Sequence, residues 1–178
     1  LNVKRVYLDS NSAMPTRKEV IDEMMPYFSD HYGNASSIHD LGREPRRALE
    51  NSREKVAVLI DAEPIEIIFT SGATESINLA LRGPMPFRDG FRDNITITSV
   101  DHQSVRSTSA AIEASGLSRT LLPVDELGTV IVSKARELIN DKTYMLSLPL
   151  ASYEVGTIQP VKELAEIAKE NGSLVHID

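Results

Sequence analysis

The sequence predicts an α/β fold, with helices on the faces of a mainly parallel sheet, and three observations predict it. Past Asp61, short apolar runs alternate with amphipathic stretches, the pattern of successive strand–helix units. The runs are rich in Ile, Val and Leu and end at turn residues, as strands covered on both faces do. At 178 residues the chain is also long enough to bury a substantial core.

Taken in order, Arg5-Val6-Tyr7-Leu8 reads as a short strand, and the small polar residues and proline of Asp9-Ser10-Asn11-Ser12-Ala13-Met14-Pro15 favour a loop. Thr16 followed by Glu19 makes a capping-box pattern, and Val20, Met24, Met25 and Phe28 recur at helical spacing. One helix is therefore expected from Thr16 to the turn-rich Gly33-Asn34-Ala35-Ser36-Ser37. A second is expected over residues 41–60, with Pro45 in its first turn, Ala48, Val56 and Leu59 forming an apolar stripe, and the charges facing solvent. Strands follow at 65–69, 95–99, 120–124, 144–148 and 174–177, and helices at 75–81, 104–114, 133–140 and 161–170. The change of character near Asp61 divides the chain into an N-terminal segment with two helices, 1–60, and an α/β part, 61–178.

Charge and composition exclude several functions. Acidic residues outnumber basic ones, 26 to 19, and the only local basic group is Arg43, Arg46 and Arg47, so nucleic acid is not an expected partner. Apolar stretches fall far short of the roughly 20 residues that span a bilayer, and the N-terminus lacks a signal-peptide core, so no membrane association and a cytoplasmic location are expected. With no cysteine, the chain itself holds no disulfide, thiolate metal site or cysteine nucleophile, and no metal site is expected.

Four strand ends carry candidate chemistry. In Phe69-Thr70-Ser71-Gly72-Ala73-Thr74-Glu75-Ser76 a strand passes to a helix through a glycine flanked by hydroxyls. Free N–H groups of a first helical turn bind anions, and Ser71 or Thr74 could add hydrogen bonds; alternatively one of them caps the helix. His102, in Val100-Asp101-His102-Gln103-Ser104, falls at a second such junction, either as a ligand-facing imidazole or as a cap. Ala151-Ser152-Tyr153-Glu154-Val155-Gly156-Thr157 is the third junction. Asp178, after Val175-His176-Ile177, is the fourth: an acid at the end of a buried strand either caps a helix or pairs with a basic group such as a pyridine nitrogen.

In order and spacing these segments resemble the cysteine desulfurases, within the class V aminotransferase group of fold-type I pyridoxal-phosphate (PLP) enzymes. Tyr7-Leu8-Asp9, Pro26-Tyr27-Phe28, Tyr32-Gly33-Asn34-Ala35-Ser36-Ser37-Ile38-His39, Gly42-Arg43 and Ile68-Phe69-Thr70-Ser71-Gly72-Ala73-Thr74-Glu75-Ser76 carry the likeness. So do Asp101-His102, Leu122-Pro123-Val124-Asp125, Glu154-Val155-Gly156-Thr157-Ile158-Gln159-Pro160 and His176-Ile177-Asp178. The resemblance implies a three-layer α/β/α large domain, incomplete in this chain, with 61–178 as its first part and the small C-terminal domain absent. It implies that Ala73 and Thr74 hold the cofactor phosphate, that His102 lies against the pyridine ring and assists proton transfer, and that Asp178 pairs with the ring nitrogen. The loop from Asn34 to His39 would border the site.

The implied activity is removal of sulfur from L-cysteine, giving alanine and an enzyme persulfide for iron–sulfur cluster or thio-cofactor assembly, in a homodimer that meets an iron–sulfur scaffold or another sulfur acceptor. In the family, the Schiff-base lysine follows the position of Asp178 and the sulfur-accepting cysteine follows later still. No lysine of this chain stands in the family's lysine context, so a fragment, one part of a longer chain, or a half that needs a partner is expected. Ser152 and Tyr153 stand where the family has two asparagines, the second of which contacts the cofactor's phenolic oxygen; a tyrosine hydroxyl can donate there from a larger ring. Ser10-Asn11-Ser12-Ala13-Met14 also departs from the family's early Asn-Asn-Ala-Thr-Thr type of segment. Two other readings stay open: a selenocysteine lyase or other class V PLP enzyme, and a non-catalytic scaffold or assembly subunit that kept the fold.

Overall fold

The computed structural model describes residues 6–10 and 12–178. The chain forms two compact units, Leu1–Phe69 and Thr70–Asp178. The expected strand at residues 5–8 is not formed over 6–8, while Arg5 and Asn11 lie outside the described residues.

In the first unit, the single helix expected after Thr16 is two: α1 (Lys18–Met24) and α2 (Pro26–Ser29). Pro26 explains the division, because it has no N–H to continue the ladder of α1 but is preorganised for a helix's first position. Arg17, not Thr16, stands at the N-cap, and no side chain caps α1. Helix α3 (Asp40–Leu59) carries Pro45 beyond its first turn. Proline withholds the hydrogen bond that Leu41 O would receive from residue 45. Gly33 lies against that carbonyl so closely that a Cβ there would come within 1.8 Å of it.

The apolar stripe expected on α3 is displaced. Val56 and Leu59 are exposed, and the buried positions are Gly42 and Ala57, with Arg53 partly buried beside them. The Arg53 guanidinium hydrogen-bonds to Ile67 O and lies 5.1 Å from the Phe69 ring centroid, so one cation turns inward instead of facing solvent. Residues 65–69 do not form the expected strand. Pro64–Glu66 make a turn of 3-10 helix closed by a Glu63–Glu66 capping box, and among the described residues no strand pairs with residues 67–69.

The second unit is the predicted α/β structure. It contains α4 (Ala73–Arg82), β1 (Asn94–Thr98), α5 (Gln103–Ala114), β2 (Ser118–Leu122), α6 (Val132–Leu138), β3 (Thr143–Leu148), α7 (Val161–Glu170) and β4 (Leu174–Ile177). The four strands are parallel, in the order β2-β1-β3-β4. The central strands β1 and β3 are buried at every residue, whereas the outer strands β2 and β4 are partly exposed. Strand β2 stops two residues short of expectation, and Val124 instead bridges Val130 in antiparallel fashion.

Two apolar clusters account for the layers. Ile77 and Leu81 of α4 and Val105 and Ile112 of α5 pack with Ile95, Ile97 and Tyr144. Ala135 of α6 and Leu164, Ile167 and Ala168 of α7 pack with Leu122, Leu146 and Leu148. Ile95 and Ile97, like Leu146 and Leu148, stand two apart, the strand period that sends alternate side chains to one face. Chain order now defines a crevice. From β1 the chain passes through α5 outward to β2, and from β3 through α7 outward to β4, so the direction of winding reverses between β1 and β3. Such a reversal opens a crevice at the carboxyl ends of the two strands.

Candidate active site at the sheet's switch point

The residues just past β1 and β3 border this crevice. Asp101 closes the turn after β1: its Oδ2 accepts from the Thr98 N–H at 2.5 Å and from the Thr98 hydroxyl at 2.9 Å. The next residue, His102, is the N-cap of α5, with Nδ1 accepting from the Ser104 N–H at 3.1 Å. His102 thus caps α5, and the cap has a chemical consequence for the ring. With Nδ1 committed as an acceptor, the neutral ring carries its proton on Nε2.

After β3 the chain doubles back in a short loop. Ala151 bridges Ile158, the Ser152 N–H donates to Thr157 O at 2.9 Å, and Gly156 takes the left-handed φ of 76° that glycine adopts without strain. Tyr153 projects from this loop to set its ring 5.2 Å from that of His102, at an interplanar angle of 63°. Its hydroxyl donates to Glu154 at 3.0 Å, and this bond, chiefly, raises the phenol above its ordinary pKa. The loop is pinned from behind by Gln159, whose Oε1 accepts from the Val130 N–H at 2.9 Å and whose Nε2 donates to Gly128 O at 2.8 Å. Replacing Gln159 with alanine strands the buried Val130 N–H and the part-buried Gly128 carbonyl, and is expected to lower stability by about 1–3 kcal/mol in chemical denaturation. An unchanged midpoint would show that water replaces both bonds.

Helix α4 brings the hydroxyl-rich junction to the same region. Its N-cap is Gly72, and no side chain caps it, so the expected capping by Ser71 or Thr74 does not occur. Ser71 is engaged elsewhere: its hydroxyl and N–H both donate to Glu75, holding that carboxyl below its usual range. A Cβ at Gly72 would meet nothing within 4 Å, so there is open space over the start of the helix. Thr74 and Asn78 of α4 line a cavity of about 420 Å³ together with His102, Gln103 and Ser104 at the start of α5. A larger groove, about 770 Å³, lies in the first unit along α1 and α3. It contains none of the four candidate junctions, and chemistry, not volume, distinguishes the smaller cavity.

Asp178 directly follows β4, which pairs with β3 and, among the described residues, with no other strand; two of its four residues are exposed, as is Asp178. Its backbone continues the ladder, with its N–H donating to Leu148 O at 3.0 Å and its carbonyl accepting from the Leu150 N–H at 2.8 Å. Its carboxylate acts on its neighbours through charge: it opposes the burial that lowers the His176 pKa, and it adds to the upward shift of Asp101. The His176 Nδ1 also hydrogen-bonds with Ser147 Oγ at 2.8 Å.

The structure thus joins Thr74 to His102 through one cavity and His102 to Tyr153 through ring contact, while Ala73 opens the helix beside them. Asp101, Gln159 and His176 stand inside the motifs quoted above, but neither their partners nor Ser147 could be read from the sequence. Among the described residues no group of three His, Cys, Asp or Glu side chains could hold a metal, and no helix is long and apolar enough to cross a membrane.

The donor set suits a phosphorylated group with a ring that an imidazole can face. It offers an uncapped helix N-terminus with a hydroxyl for a phosphate, an imidazole at the edge of a cavity, and a carboxylate at a neighbouring strand end.

The Aminotransferase class-V family matches residues 6–178. The cysteine desulfurase IscS of Methanosarcina thermophila is 43% identical over 176 residues, covering 98% of this chain and 43% of that protein. Among solved structures, a NifS-like protein superposes with a TM-score of 0.94 at 36% identity, over 98% of this chain and 48% of the other. SspA in complex with cysteine superposes with a TM-score of 0.91 at 30% identity, over 97% and 50%. The chain spans about half the length of the proteins it matches, or less.

Proposed function

The chain belongs to the class-V aminotransferase family, and from that membership we propose that it is the N-terminal part of a PLP-dependent cysteine desulfurase. The reading takes L-cysteine as substrate and alanine as product. Sulfur passes to a cysteine outside residues 1–178, since these contain none, and onward to iron–sulfur cluster or thio-cofactor assembly. One observation carries the proposal: the uncapped first turn of α4 and the imidazole of His102 meet at a single cavity beside the switch point of the sheet.

Each residue has a task in this reading. The N–H groups of Ala73 and Thr74, with the Thr74 hydroxyl, bind the cofactor phosphate at the positive end of α4. Asp178 keeps the pyridine nitrogen protonated. His102 is fixed by Ser104 through Nδ1, which leaves Nε2 as the nitrogen that exchanges a proton with the substrate. Tyr153 provides a hydroxyl where relatives have an asparagine, and its contact with His102 restricts the imidazole on one side. When bound, the cofactor supplies an electron sink for bond cleavage in the amino-acid substrate.

Residues 1–60 serve as an N-terminal segment and 61–178 as the first part of the large domain, in a cytoplasmic homodimer. A non-catalytic scaffold is the second reading, favoured by Tyr153 at an asparagine position. One experiment separates them: the full-length protein is incubated with PLP, and its absorption near about 400 nm is followed before and after borohydride reduction, together with alanine formed from L-cysteine. A reducible band with alanine production supports the desulfurase. A band without alanine production sinks it in favour of another class V activity or the scaffold, and no band removes the cofactor assignment.

A further inference from the structure

Asp101 has no role in the proposed chemistry, yet among the described residues it is the only buried carboxylate, 4% exposed. It stands at the carboxyl end of a central strand, one residue before His102. Its two oxygens are unequal: Oδ2 takes both hydrogen bonds from Thr98, and Oδ1 is buried without a partner. A carboxylate anion needs donors at both oxygens, and a bare one away from water is costly. Oδ1 lacks a partner in either state, and an unpaired neutral hydroxyl costs less than an unpaired buried charge, so the neutral acid is the cheaper form. Oδ2 then acts as the carbonyl oxygen receiving two donors, and Oδ1 carries the proton.

The charged groups facing Asp101 are Asp178, beyond β4, and Arg106, on α5. Burial is the main cause that raises the carboxyl, and the Asp178 charge adds to it. The Thr98 hydrogen bonds and Arg106 oppose the shift, and the balance stands at about 7.

We propose that Asp101 is a positioning residue held as the neutral acid: Oδ2 fixes the turn that presents His102, and the proton on Oδ1 leaves Asp178 as the single negative charge directed to a ring nitrogen. The part concerning the ring nitrogen rests on the cofactor reading; the buried proton does not. Above neutrality Asp101 ionises, and a second negative charge appears beside the site.

The test compares the full-length wild type with Asp101→Asn, which is permanently neutral and nearly isosteric, and with Thr98→Val. Thermal unfolding of the cofactor-free protein is measured across the pH range. An acid whose folded pKa lies above its unfolded value stabilises the protein below the unfolded value and loses that contribution as pH rises through the folded one. The wild-type Tm is therefore expected to fall relative to Asp101→Asn between the ordinary carboxyl value of 3.8 and about 7, and the difference to level off above. Thr98→Val removes a hydrogen bond that favours the anion, so the upper end of the step moves to higher pH, which keeps the proposal testable if Asp101→Asn does not fold.

With PLP added, the visible spectrum of the wild type is expected to change with an apparent pKa near 7 that Asp101→Asn lacks. Parallel Tm curves for wild type and Asp101→Asn, or an unmoved step in Thr98→Val, overturn the proposal whatever the spectrum shows. A spectrum that titrates alike in wild type and Asp101→Asn overturns the influence on the ring nitrogen. A stability step with no cofactor bound at any pH supports the buried acid and sinks the cofactor reading instead.

Discussion

Exchanging His102 for asparagine in the full-length protein lowers turnover of L-cysteine, on the proposed desulfurase reading, by roughly 10²- to 10⁴-fold, the range that a positioned general acid–base commonly contributes. Asparagine is chosen because His102 has two separable tasks. As the N-cap of α5 it satisfies the Ser104 N–H, and asparagine is among the best residues for that position, so the fold should be preserved. What asparagine cannot do is take up and return a proton near neutral pH. The measurement is the rate of alanine formation, with the melting temperature and cofactor content recorded alongside. A variant that keeps its stability and cofactor but turns over within a few-fold of wild type would remove His102 from the proton-transfer role. Loss of cofactor with the activity would make it a binding residue.

Replacing Leu146 with alanine lowers the stability by about 2–5 kcal/mol, as expected for large-to-small changes at fully buried aliphatic positions. Leu146 lies in the centre of β3, is 0% exposed, and packs in the cluster formed by β2, β3, α6 and α7. Strand β3 is paired on both sides, so the structure has little freedom to close the cavity. Leu121 provides the control: it lies on edge strand β2, is 51% exposed, and its change to alanine should stay within roughly 0.5 kcal/mol. Urea denaturation of both variants tests the contrast. Equal losses would contradict the burial assigned to β3, independently of any functional reading.

Much of the second unit was legible because its signals are local. The runs containing Ile95, Ile97, Leu146 and Leu148 are short, apolar and bounded by turn residues, and they are the buried strands. The first unit was less legible. Pro26 divided an apparently continuous helical pattern. The apolar run at 65–69 met no partner strand among the described residues, and Arg53 tied it to α3. Strand formation depends on a partner that is often distant in sequence, so an apolar run alone does not decide it. The candidate site divided in a similar way: Ala73, Thr74, His102, Tyr153 and Asp178 were candidates from motifs alone, while the unpartnered oxygen of Asp101 and the grip of Gln159 on Gly128 and Val130 were not visible in the sequence.

By itself, the sequence determined the fold class, the order of the strand–helix units and the candidate junctions at the strand ends, because periodicity and turn residues act over a few neighbouring positions. The tertiary structure alone decided which junctions meet. It set the strand order β2-β1-β3-β4, and with it the reversal that brings His102 and Tyr153 together. It also decided the burial of Asp101, which raises that carboxyl against the Thr98 hydrogen bonds, with a smaller push from Asp178, distant in sequence. Those quantities depend on distances between segments far apart in the chain, and they come into existence only when the sheet closes.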